Sequence, residues 1–101
     1  MTDAIYKDGQ GRMSAIKDPQ STLDFSFDWS LWLAEASDTI SSYVFTESGG
    51  VTLSNQTNES GIVTSFVAGG TVGTPASLAC RITTAGGRVD ERTLQLVIKE
   101  R

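Results

Sequence analysis

The stretch Leu23-Asp24-Phe25-Ser26-Phe27-Asp28-Trp29 alternates large apolar with small polar residues at every position. Side chains of a strand point to opposite faces in turn, so Leu23, Phe25, Phe27 and Trp29 share one side and Asp24, Ser26 and Asp28 the other. This pattern predicts a half-buried β-strand. It returns near the C-terminal end, where Leu94, Leu96 and Ile98 alternate with Gln95, Val97 and Lys99. Strands from both ends of the chain can therefore line one core, and an antiparallel sheet protein is expected.

The other strand signals are short and evenly spaced: residues 39–46, 51–55, 61–68, 77–83 and 89–99, beside the first at 23–29. Gly49-Gly50, Gly69-Gly70, Gly73-Thr74-Pro75 and Ala85-Gly86-Gly87 separate them, supplying glycine for positive φ or proline for a fixed φ where the chain reverses. This spacing suits a β-sandwich or barrel. Residues 77–83 and 89–99 flank Thr84-Ala85-Gly86-Gly87-Arg88 and should form a hairpin, a common ending of an immunoglobulin-like sandwich. Residues 30–36 are the one plausible helix, at most about two turns, read as a corner that Asp28 or Ser30 can cap. Residues 1–20 are polar, hold Gly9, Gly11 and Pro19, and show neither period, so they read as an extended arm ahead of a domain at 21–101. The polar run from Ser54 to Gly61 reads as a flexible contact loop.

At 101 residues the chain fits one domain, burying roughly 65% of its unfolded surface. Its apolar runs, such as Leu31-Trp32-Leu33 and Leu96-Val97-Ile98, are only a few residues long, against roughly 20 for a membrane-spanning helix. Residues 1–20 contain no apolar stretch suited to a secretory signal, so a protein that stays in the cytosol where it is made is expected. Eight basic residues against 12 acidic ones, net −4, argue against nucleic-acid binding, which draws on Lys and Arg contacts to phosphate. The single cysteine, Cys80, cannot form an internal disulfide. It alternates in step with Leu78 and Ile82 and reads as a small core residue.

Without histidine, no Ser-His-Asp or Cys-His nucleophile pair is possible, and the commonest zinc sites are missing too. Asp24 and Asp28 share a strand face roughly 13 Å apart at 3.3 Å per residue. That exceeds the roughly 6.5–9.5 Å of an inverting glycosidase pair, and the two read as a solvated face. Asp90-Glu91 beside Arg88 and Arg92 reads as charge compensation on an exposed edge. Gly69-Gly70-Thr71-Val72-Gly73 lacks the Lys-Ser/Thr of a phosphate loop and reads as a turn. No catalytic residue, cofactor or metal is expected.

Lys17-Asp18-Pro19, Leu23-Asp24-Phe25, Asp28-Trp29, Trp32-Leu33 and Asp38-Thr39-Ile40 occur in that order, followed by Cys80-Arg81-Ile82-Thr83-Thr84-Ala85-Gly86-Gly87-Arg88 with Asp90 and Arg92. Over residues 17–98 this series resembles small virion proteins of tailed bacteriophages, the fiber-tail adaptors or tail accessory proteins. The resemblance implies an immunoglobulin-like antiparallel β-sandwich of about seven strands that joins or decorates tail, fiber or neck components. A non-enzymatic structural protein is therefore expected, bound to other virion proteins, as a homo-oligomer in the particle, without nucleic acid or membrane. Tyr6, in the polar arm, and Trp32, of a residue type enriched in contact surfaces, are the candidate protein-interaction residues. Two alternatives remain: a head-tail connector or capsid decoration subunit, and a carbohydrate-binding or adhesin module stacking sugars on Trp29, Trp32 or Tyr43.

Overall fold

The computed structural model describes residues 5–7 and 13–100. Alternation becomes strand wherever one face can be covered. The strands are β1 (Ile5–Lys7), β2 (Met13–Lys17), β3 (Thr22–Asp28), β4 (Ile40–Ser48), β5 (Val51–Glu59), β6 (Ile62–Gly69), β7 (Ala76–Thr84) and β8 (Val89–Ile98), with one helix, α1 (Ser30–Ala34), between β3 and β4. They form a five-stranded sheet ordered β1-β2-β8-β7-β4 and a three-stranded sheet ordered β3-β6-β5. The protein is an all-β, two-sheet sandwich.

The core lies between the sheets. Phe25 and Phe27 of β3 with Val63 and Val67 of β6 face Leu78, Cys80 and Ile82 of β7 with Leu94, Leu96 and Ile98 of β8. Aromatic rings bridge the two layers. Trp29 stacks on Phe27 with centroids 5.9 Å apart, Phe27 meets Phe45 of β4 at 6.1 Å, and Phe45 meets Tyr43 edge-on at 5.8 Å. Such offset and tilted pairs add specific attraction to the apolar area they bury. The closing hairpin forms as expected, with Thr83 opposite Val89. The chain changes sheets between β4 and β5 at Gly49, where φ is +88° and an added Cβ would lie 2.5 Å from the Ala76 side chain. Only glycine fits that crossing.

Two expectations from sequence differ from the structure. Residues 1–20, read as an arm without strand period, contain β1 and β2, and β2 runs parallel to β8 with Ala15 opposite Leu96. The sandwich is therefore mixed rather than wholly antiparallel. The period was masked because β2 buries polar side chains, Ser14 and Lys17, beside Ala15. Lys17 is fully buried, and its ammonium donates to the carbonyls of Asp18 (3.0 Å), Ser21 (2.7 Å) and Gly69 (2.7 Å). Burial pushes its pKa below the ordinary lysine value, and the charge of Asp18 opposes that shift.

Residues 54–59, read as a loop, instead continue β5 to Glu59, and only Ser60-Gly61 form the turn. This half of β5 is exposed on both faces, so no alternation marks it. A bulge between Ser54 and Thr57, with Asn55 at φ +49°, further breaks the register. Asp90 and Glu91 lie on β8 opposite Ile82 and Arg81 of β7, ahead of Leu94 where the pairing with β2 begins, and they compensate Arg92 (3.7 Å) and Arg81 (3.2 Å) as the sequence suggests.

Replacing Lys17 with methionine should keep the volume but strand three carbonyls, lowering unfolding free energy by about 1–3 kcal/mol in urea titration. Burial, helped by the charge of Glu91, raises the Cys80 thiol to about 12. Between its unfolded pKa near 9 and that value, only the unfolded chain gives up the proton. Stability should therefore fall as pH rises through that window, and thermal melts of Cys80→Ala should lack this slope.

Candidate functional site

One end of the sandwich gathers α1, the start of β4, the β5–β6 turn and the β7–β8 hairpin. Asp28 starts this corner by accepting the Ser30 amide at 2.8 Å; a hydrogen bond from the Ser30 side chain first, and this amide bond second, hold its carboxyl below the usual range. The Trp29 amide donates to Gly61 at 2.9 Å, docking the corner on the β5–β6 turn. The helix ends after one turn, as the Ser37 backbone turns to φ +51° and the Asp38 amide bonds back to Leu33.

Asp38 then acts as a hub. Its Oδ1 accepts the amides of Thr39 (2.9 Å) and Gly86 (3.0 Å), and its Oδ2 meets Arg88 Nε at 3.2 Å. Thr84 also donates its hydroxyl to this carboxylate, and Thr84 Oγ1 accepts the Arg88 amide at 2.9 Å. A Cβ at Gly86 would lie 3.0 Å from Asp38 Oδ2, so the hairpin tip can come this close only without a side chain. These donors, with the Thr84 hydroxyl foremost, hold the Asp38 carboxyl down at about 2. The Arg88 guanidinium lies 4.0 Å from the Trp32 ring centroid, a cation–π contact.

A second unit of the same composition stands beside it. Trp29 Nε1 donates to Asp90 Oδ2 at 2.9 Å, and Arg92 Nε lies 3.7 Å from the same oxygen. The Arg92 guanidinium sits 4.7 Å from the Trp29 ring centroid and donates through Nη1 to the Asp28 carbonyl at 2.9 Å. Two Trp–Arg–Asp clusters thus pin the corner after β3 to the β7–β8 hairpin, more than fifty residues away in sequence.

This arrangement suits rigid positioning. An open groove of about 420 Å³ borders the cluster, lined by Leu33, Asp38, Thr39, Asn58, Ser60 and neighbours. Among the described residues Asp38 is its one ionisable lining group, and both its carboxylate oxygens accept hydrogen bonds. Trp29 is fully buried and offers no open ring for sugar stacking, and one face of half-buried Trp32 carries Arg88. Tyr43 is half-buried and packs against Phe45.

A family model describing the podophage GP4 fiber-tail adaptor protein gp77 matches residues 17–97, from the end of β2 nearly to the end of β8. The chain belongs to this fiber-tail adaptor family. No match was found among curated proteins. The match spans both Trp–Arg–Asp clusters. Of the two interaction candidates, Trp32 lies in this corner, whereas Tyr6 lies on β1 opposite Ser14 of β2, and its side chain is outside the described residues. Sequence reasoning did not assign Asp38 or Arg88 to a site. The available signal was the spacing of Trp29 and Trp32 by three residues and of Arg88 and Arg92 by four.

Asp38 gives an acid-stability test. Its folded pKa lies below the unfolded one, so its contribution is present above about pH 4 and is lost as pH falls toward 2. Melting curves of Asp38→Asn should lack that part of the acid loss. Replacing Trp29 with phenylalanine removes the donor to Asp90 and part of the indole packing, and urea titration should show a loss of about 1–3 kcal/mol.

Proposed function

We propose that this chain is a non-catalytic joint of a podophage particle, holding fiber and tail components together through protein–protein contacts. The family match over residues 17–97 carries this reading. The polar network supports it, since a corner whose carboxylates are engaged and whose two guanidiniums each lie over an indole serves to hold a surface in shape. The sandwich itself is read as immunoglobulin-like. That reading is supported by the order β3-β6-β5 facing β8-β7-β4, with β2 laid parallel on β8.

In the particle, several copies are arranged by symmetry after synthesis in the host cytoplasm. Contacts run through free strand edges and residues 1–20, with Tyr6 and Trp32 as the interaction residues. The test is to disrupt the gene and image the particles. Heads and tails that assemble but lack fibers, restored by the wild-type chain, are expected. Normal fibers on particles whose purified protein lacks this chain would defeat the reading. A further comparison substitutes Trp32 by alanine. Fiber attachment should fall while the circular-dichroism spectrum keeps its strand signature.

A further inference from the structure

The strand edges of the sandwich are unequal. β3 carries Asp24 and Asp28 along its length, and β5 carries the bulge at Asn55. Charges and bulges at edges discourage the addition of further strands. β4 has neither device over most of its length. From Ser42 to Ser48 it pairs with β7 in unbroken register, holds no proline or lysine, and has Glu47 as its one charge. Among the described residues β7 is its only strand neighbour. Its outward row is Ser42, Val44, Thr46 and Ser48, and Val44 is 60% exposed. A regular edge of this kind, rich in aromatic and branched residues, is a template for a further strand.

The charge distribution identifies the occupant. Between Lys17 and Arg81 the chain carries seven acidic residues and no basic one. That interval contains β3, α1, β4, β5 and β6, so the three-stranded sheet and the β4 edge form an acid-only portion of the molecule. Arg81, the cation nearest Val44 across the β4–β7 ladder, is paired with Glu91 at 3.2 Å. Two copies joined edge to edge through β4 would bring two acid-only portions together, which long-range repulsion disfavours.

We propose that the β4 edge takes up an extended, lysine- or arginine-bearing segment of a partner protein by strand addition. The incoming backbone pairs with the outward N–H and C=O groups of residues 42–48, a small branched side chain lies beside Val44, and a cation meets Glu47. The inference rests on the assembly reading above and gives that reading a specific edge and a partner chemistry.

The test uses the full chain and a capped nine-residue peptide of alternating valine and threonine with a lysine at each end, beside the same peptide ending in glutamates. Amide hydrogen exchange should show new protection at residues 42–48 with the lysine peptide, and the glutamate peptide should bind about tenfold more weakly. The variant Val44→Lys should weaken the lysine peptide several-fold while leaving the melting temperature unchanged, because Val44 is solvent-facing. Equal binding of both peptides, protection on β5 instead, or no protection with either would overturn the proposal. So would protection of β4 that rises with protein concentration in the absence of peptide, since a second copy would then hold the edge. Absence of the chain from purified particles would remove the assembly reading, whereas failure of the peptide series removes only this edge.

Discussion

The helix end of the sandwich is held by two guanidinium groups, each lying over an indole and paired with a carboxylate. Arg88 over Trp32 with Asp38, and Arg92 over Trp29 with Asp90, join the corner after β3 to the tip of the β7–β8 hairpin. Each cluster gains from partial shielding, where Coulomb and cation–π attraction weaken less than in open water. The aromatic chain from Trp29 through Phe27 and Phe45 to Tyr43 extends that anchoring from the corner into the core and from one sheet to the other. The groove beside α1 and the shape of the hairpin tip both follow from where these clusters hold the backbone.

The opposite end uses a different solution. There the chain passes from one sheet to the other through Asp18-Pro19-Gln20-Ser21, with the Ser21 amide bonding back to Asp18 at 3.1 Å. Proline at the second position of such a turn presets its φ. Lys17 ties this turn to Gly69 at the end of β6. An ammonium inside a sandwich is costly unless its donors are met, and three carbonyls meet them.

What could be read from sequence depended on whether a strand has one covered face. β3, β7 and β8 do, and their alternation predicted both their extent and their inward residues, Cys80 included. The far half of β5 has no covered face, so Ser54 to Glu59 show the composition of a loop while adopting a strand. β2 buries Ser14 and Lys17 as well as Ala15, and a buried lysine reads as solvent-exposed in any linear pattern. The two Trp–Arg–Asp clusters were present as spacings, but their pairing across 50–61 positions arises only when the sheets close. Trp32 was singled out by residue type. The arginine that covers one of its faces came from the far end of the chain.

The parallel pairing of β2 with β8 has a mechanical consequence. Met13 lies opposite Leu94 and Lys17 opposite Ile98, so β2 and the last strand run side by side in the same direction. Tension that pulls the N-terminal side of β2 against the C-terminal side of β8 acts along the strands, in opposite senses. The hydrogen bonds between them are then loaded together in shear, rather than opened one after another as in a peeled hairpin. A load carried across β2 and β8 is resisted best in this geometry.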